Sequence, residues 1–450
     1  MATEHAPRAA RRLRVLAVVE LGGNWGHLLR LRPIIAALRA RGHVAVLATS
    51  DVRAARRMFG NDADIEFVEW PTLQGRFRVP AGTRFQHYAQ VLERCAFGDA
   101  AGLRLGVQRW TSTLRRLKPD VMLVDFAPAA LFAAHLLRVP VVQAVMGWEA
   151  PPSGQPLPSI RPWHDVDLAP YARVEAALLH NLNAECVRAG VAPLACVSDL
   201  YGVGTQLLAT WPEIDHFGPR RGARYIGPIY TEDMGTEVDW PADSGRPRVL
   251  TYLAGDPRSE AVIAELGTLG AEVIAVVPDL PADVAERLRG PHVRVYDKPI
   301  CIGRVVAGAR LAITNGGHGL IGACVRSGVP MLLLPRFAEQ AVLARRMQQS
   351  GLARSLLSPS GDGQPDLALL AAALTDDAAA RTSAQAALRY AATPPAASVL
   401  AVADAVECAG NSDLRDAAVD GELGAVDEGR LVAGQEQRGV GDVLAARDAT

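Results

Sequence analysis

Runs of consecutive apolar residues recur along the chain, each followed by apolar positions spaced three or four apart. Val15-Leu16-Ala17-Val18-Val19 is the first run, the pattern of a strand covered on both faces of a parallel sheet. A glycine-rich turn follows, Leu21-Gly22-Gly23-Asn24-Trp25-Gly26-His27. Leu28, Leu31, Ile35 and Leu38 then recur at helical spacing until Gly42 stops the helix. His43 to Thr49 is the second strand. Strand, helix, strand with a short return is a βαβ unit, which implies a parallel pair and a right-handed crossover. Further strands are expected at 121–125, 139–145 and 206–210, with an Ala/Leu helix between the first two. Residues 148–170, rich in Pro and Trp, read as a long surface excursion.

Between Ile226 and Pro247 the chain is polar, broken by Pro and Gly, and without a period. The alternating pattern then restarts, with strands expected at 249–253, 273–277, 293–295, 311–314 and 330–335 and helices at 261–269 and from about 320. Two alternating α/β halves joined by a linker imply two Rossmann-like domains facing across a cleft. The expected organisation is an N-terminal domain over 1–232, a linker over 233–247, a C-terminal domain over 248–411 whose last helix crosses back to the first domain, and a disordered tail over 412–450.

Composition narrows the class. Of 450 residues, 49% are hydrophobic, enough for full cores. The formal net charge is −1, so no global attraction points to nucleic acid as a partner. Six cysteines are scattered without a CxxC or a zinc-like spacing, which suits a reducing cytoplasm and offers no metal site. No apolar run reaches bilayer-spanning length, so membrane contact would be peripheral at most.

The chemistry-bearing stretch is Thr314-Asn315-Gly316-Gly317-His318-Gly319-Leu320, a strand ending in glycines that open into a helix. Unpaired N–H groups and the helix dipole at such a turn favour an anion. It continues as Gly328-Val329-Pro330, an apolar strand, Pro335-Arg336-Phe337-Ala338-Glu339-Gln340, a helix and Gly351. This order resembles the donor-binding signature of the family 1 glycosyltransferases, of the GT-B class. The stretch Leu207-Leu208-Ala209-Thr210, Pro212-Glu213 and Tyr225-Ile226-Gly227-Pro228 resembles the end of that family's N-terminal domain, and Gly26-His27 its opening, so the resemblance spans roughly residues 13–405.

The resemblance implies an inverting, metal-independent transfer of a hexose from a UDP- or dTDP-linked sugar to a hydroxyl, with no other cofactor. In it His27 is the general base and Asp125 its carboxylate partner. Gly255, Asn315, Gly316, Gly317, His318, Gly319 and Leu320 lie on the donor side, and Glu339 and Gln340 meet the sugar hydroxyls. Trp25, Trp148 and Trp163 are candidates for the acceptor pocket. Two positions depart from the family: Asn315 stands where His is common, and Leu320 where Ser or Thr is common. Asn315 can still donate a neutral hydrogen bond to a diphosphate, and His318 could supply the missing charge.

Other readings remain open. A nucleotide-sugar-binding protein that has lost turnover fits the two departures. An NAD(P)-dependent oxidoreductase fits Gly22, Gly23, Gly26 and Asp51, although the Gly-x-Gly-x-x-Gly spacing is absent. Asp165-Val166-Asp167 is an Asp-x-Asp, which elsewhere can hold a metal on a nucleotide sugar. Here it lies in the Pro-rich excursion and reads as a solvated acidic loop.

Overall fold

The computed structural model describes residues 11–412 except 22–24, 61–64, 71–84, 164–166, 168 and 243–244. The expected tail beyond Ser412, the glycines Gly22 and Gly23, and most of the Asp-x-Asp segment therefore lie outside the described residues.

Twelve strands form two six-stranded sheets. The first contains β1 (Arg14–Val19), β2 (Val44–Thr49), β3 (Ile65–Glu69), β4 (Val121–Val124), β5 (Val141–Val145) and β6 (Thr205–Leu208). The second contains β7 (Arg248–Tyr252), β8 (Glu272–Val276), β9 (Val293–Tyr296), β10 (Leu311–Thr314), β11 (Met331–Leu333) and β12 (Ala353–Ser355). Their orders are β3-β2-β1-β4-β5-β6 and β12-β11-β10-β7-β8-β9, with all neighbours parallel. In the first sheet strand order reverses between β1 and β4, and in the second between β7 and β10. In doubly wound sheets the crevice for a ligand opens at such reversals, beyond the carboxyl ends of the strands.

The interior strands are mostly apolar because helices cover both faces, and in β4 all four residues, Val121, Met122, Leu123 and Val124, are buried. Residues of β1 point alternately into two cores, Leu16 and Val18 into one, Val15, Ala17 and Val19 into the other. The short edge strands β3 and β12 escaped the sequence reading. Ile65–Glu69 is interrupted by charge, and Ala353–Ser355 has three residues and no apolar run.

The stretch at 148–170 is a surface excursion only in part: Ser153 to Pro156 and Pro162 are exposed, but much of the rest is not. Trp148, Ala150, Leu157 and Ile160 are buried in the first core, and Arg161 donates to the Phe85 carbonyl from a fully buried position. Prolines break its period, and around the buried residues backbone bonds from Tyr88 N–H to the Pro158 carbonyl and from Ile160 N–H to the Gln86 carbonyl replace regular pairing. Part of the connecting segment is likewise held: Val238 is buried and the Trp240 indole donates to the Val305 carbonyl at 2.9 Å.

The last helix, Pro395–Asn411, leaves the second sheet and packs on β4, β5, β6 and the helix Trp25–Ala40. Gly410 permits the close approach; a Cβ there would come within 2.6 Å of Leu13 Cδ1. Glu407 on this helix meets Arg41 at 2.9 Å and His43 Nε2 at 2.8 Å, while His43 Nδ1 lies 3.2 Å from the Leu13 N–H. Both ring nitrogens of His43 are thus engaged in holding the helix against the first sheet.

Candidate active site

The strand reversal in the first sheet gathers four ionisable side chains. His27 sits in the first turn of the helix Trp25–Ala40 that comes after β1, and Arg30 lies one turn further along the same face. Asp125 follows β4 directly, and Glu149 follows β5. His27 Nδ1 is 2.9 Å from Asp125 Oδ1. An ionised carboxylate can only accept, so Nδ1 carries the proton and Nε2 keeps a free lone pair. Arg30 donates to both Asp125 oxygens, from Nε at 3.2 Å and from NH2, and its NH2 also donates to Glu149 Oε1 at 2.5 Å. Glu149 Oε1 is 3.4 Å from His27 Nδ1, and its Oε2 accepts from Met146 N–H at 2.7 Å.

Charged groups this deep persist only when paired. Side-chain exposure is 0% for Asp125, 1% for Glu149 and 5% for Arg30, against 13% for His27. Burial opposes a charge on His27, but Asp125 and then Glu149 outweigh it and raise the imidazole above its ordinary value. Burial likewise works against ionised Asp125, yet the Arg30 and His27 partners hold its carboxyl below the usual range. Burial pushes Glu149 upward, opposed by Arg30. His27, Asp125 and Glu149 also bring three ligand-type atoms within 4.8 Å of one another. Arg30 already bonds both carboxylates, so the cluster carries its own cation.

The reversal in the second sheet is built from backbone. Gly317 caps the helix His318–Ser327 without a side-chain hydrogen bond. The first N–H groups of that helix are therefore left for another acceptor. Gly316 has φ +106°, and a Cβ there would meet Gln340 Cβ at 3.3 Å, so only glycine sits at this bend without strain. Gln340 is itself buried and its Oε1 accepts from Arg336 N–H at 2.9 Å.

Asn315 ties the turn together. Its Oδ1 accepts from Ala254 N–H at 2.7 Å, and its Nδ2 donates to the Leu334 carbonyl at 2.7 Å. These bonds join the ends of β7, β10 and β11, and place Gly255 beside the turn. The surroundings of His318 disfavour a charge on its ring. Burial, then the neighbouring His216 and Arg30, press its pKa well below the ordinary imidazole value, and neither ring nitrogen has a hydrogen-bond partner among the described residues. Leu320 is partly buried against the second core.

Contacts between the halves set the two crevices facing each other. The helices Trp25–Ala40 and His318–Ser327 touch. His216, in the turns after β6, stacks on His318 with centroids 5.9 Å apart. Its Nε2 meets Glu339 Oε1 at 2.7 Å. Glu339, a residue expected to face donor hydroxyls, is thus already in contact across the halves.

The three tryptophans separate. Trp25 is 41% exposed with Arg57 above its ring. Trp148 is 4% exposed and stacked on Phe217. Trp163 is partly buried against the first core. Sequence reasoning missed Arg30, Glu149 and His216. Arg30 carried a signal, a charge three residues from His27 in an apolar helix. Glu149 carried a weaker one, an acid just past a strand end.

No family model matches the chain. Solved structures do. The spinosyn rhamnosyltransferase SpnG complexed with thymidine diphosphate superposes with a TM-score of 0.60 at 19% identity, covering 87% of this chain and 100% of that one. The glycotransferase of kitacinnamycin gives a TM-score of 0.60 at 20% identity, over 87% and 99% of the two chains. The glycosyltransferase SnogD from Streptomyces nogalater gives 0.57 at 19%, over 88% and 99%. This chain has the GT-B fold. In sequence, it is 25% identical over 151 residues to the NDP-glycosyltransferase YjiC of Bacillus licheniformis, a match spanning 29% of this chain and 35% of that relative. Among the described residues no helix is long and apolar enough to cross a membrane.

Proposed function

We propose that the protein is an inverting glycosyltransferase that moves a hexose from a nucleoside-diphosphate sugar to a hydroxyl of a small acceptor, without a metal. The observation that carries this reading is the His27–Asp125 pair at the first strand reversal, set opposite a glycine turn and uncapped helix end at the second. Asp125 fixes the Nδ1–H tautomer, so Nε2 accepts the acceptor's proton as its oxygen attacks the anomeric carbon. The departing diphosphate is stabilised by the N–H groups around Gly317, His318 and Gly319. SpnG has been solved with thymidine diphosphate and with spinosyn aglycone, which supports a dTDP-linked donor and a bulky aglycone-like acceptor here.

A second reading, a nucleotide-sugar binder with little turnover, is favoured by one specific finding. Asn315 is bonded to Ala254 and Leu334, and burial disfavours a charge on His318, so the turn offers the leaving group little side-chain charge before it binds. Loss of a charge-assisted contact costs about 1.5–3 kcal/mol, which slows such a reaction without abolishing it.

A thermal-shift screen against UDP, dTDP and GDP with their sugars, in EDTA and with NAD(P) as control, tests the class. A nucleoside-diphosphate response with none to NAD(P) is the expected result; an NAD(P) response alone would overturn it. Release of free sugar from the donor, or its transfer, then separates enzyme from binder.

A further inference from the structure

Asp125 Oδ1 is crowded. It accepts from His27 Nδ1 at 2.9 Å, from Phe126 N–H at 2.7 Å and from Arg30 NH2, while Oδ2 accepts from Arg30 Nε. A carboxylate shared among four donors, two of them on one guanidinium, divides its negative potential between the imidazole and Arg30, although Asp125 is still the largest source of attraction for a proton on His27. Arg30 NH2 is also only 3.3 Å from His27 Nδ1 and repels a charge on the ring. Arg30 thus offsets part of what Asp125 contributes to His27.

Glu149 adds a second carboxylate that works against Arg30. Its Oε1 lies 3.4 Å from His27 Nδ1 and 2.5 Å from Arg30 NH2. Two carboxylates and one guanidinium give the resting cluster a net charge of about −1 with neutral His27, and about zero once His27 is protonated. The buried cluster is therefore closest to neutral in the state that exists just after proton transfer.

From this geometry we propose that Arg30 and Glu149 are positioning residues that act as an opposed pair, Arg30 weakening and Glu149 strengthening the hold of His27 on a proton. The inference deepens the reading of His27 as the base and rests on it for its catalytic meaning. Other groups near the ring add little leverage of the same kind. His318 faces the cluster from the second half with His216 of the first half stacked on it, burial disfavours a charge on His318, and Phe126 stacks on His27 at 6.3 Å. Arg30 also disfavours a charge on His318, so its influence reaches both sides of the cleft.

Histidine titration followed by NMR tests this on the intact protein, with selectively labelled histidine and the His27 signal assigned through H27N. In Glu149→Gln the His27 midpoint moves to lower pH. In Arg30→Met it moves to higher pH, and in the double variant it returns towards wild type. Should Arg30→Met fail to fold, the comparison of E149Q with the charge-balanced R30M/E149Q supplies the same effect of Arg30. Unmoved midpoints, or shifts of the same sign in both single variants, would overturn the proposal. Hydrolysis of dTDP-glucose separates it from the underlying reading. The acid limb of kcat/KM tracks the NMR midpoints if His27 is the base, with a plateau roughly 10-fold lower in E149Q. Midpoints that move while the acid limb stays fixed would retain the opposed pair and remove His27 as the base.

Discussion

At the first strand reversal, between β1 and β4, function is written in side chains: His27, Arg30, Asp125 and Glu149 interlock within one buried cluster. At the second, between β7 and β10, it is written in backbone. Gly316 and Gly317 bend the chain, Asn315 staples three strand ends, and burial disfavours a charge on the nearest ionisable ring, His318. The two sheets are both parallel and reverse their order once, so topology does not cause the difference. Proton transfer needs a group whose affinity is tuned by specific neighbours. Anion binding needs only oriented N–H groups at a helix end. The same kind of crevice serves either chemistry, depending on the residues placed just beyond the strand ends.

Several substitutions break this comparison, and the largest effect is expected on the side-chain half. Asp125→Asn keeps the shape but offers His27 an amide, whose N–H group would turn the ring to the wrong tautomer. Transfer should fall about 10³–10⁴-fold with nucleoside-diphosphate affinity nearly unchanged, as measured by steady-state rates and calorimetry.

A second test lies just behind that cluster. Glu20 stands at the end of β1 and accepts from Trp110 Nε1 at 3.2 Å and from Ala129 N–H at 2.8 Å. Burial pushes its pKa to about 7. The folded state therefore holds a proton that the unfolded chain has released, and stability falls as pH rises from about 4.5 to 7. Glu20→Gln should flatten that fall, by about 3 kcal/mol across the window, in urea denaturation at several pH values. An unchanged slope would remove Glu20 as its source.

On the backbone half, Gly316→Ala places a Cβ against Gln340 at a positive φ. It should cost about 1–3 kcal/mol in stability and weaken dTDP binding, while leaving the His27 titration where it was. A variant that shifts His27 instead would show that the two crevices are not separable. Asn315→Ala removes two bonds and should cost about 1–2 kcal/mol in thermal unfolding.

Much of the fold was legible in sequence because strands buried on both faces leave uninterrupted apolar runs, as at Val121–Val124 and Leu311–Thr314. The edge strands β3 and β12 left no such run. The stretch at 148–170 misled in part because Pro and Gly mark irregular backbone, not exposure; Leu157 and Ile160 are buried there all the same. In the site, His27 and Asp125 come within hydrogen-bond distance, His27 from the first turn of the helix after β1 and Asp125 from just past the end of β4. Arg30 and Glu149 could not be paired from sequence, since 119 residues separate them and only the β1-β4-β5 order brings them together. His318 could be placed at the turn, but the bias against a charge on it depends on burial and on His216 and Arg30, which arrive from the other half.

The central claim is that one half of the molecule moves the proton while the other holds the nucleotide. Calorimetric titration of His27→Gln with dTDP in EDTA, paired with its rate of dTDP-sugar consumption, tests it most directly. The account predicts dTDP affinity within about 3-fold of wild type and turnover lower by at least about 10²-fold. Near-wild-type turnover in that variant, or loss of dTDP binding with it, would contradict the division of labour.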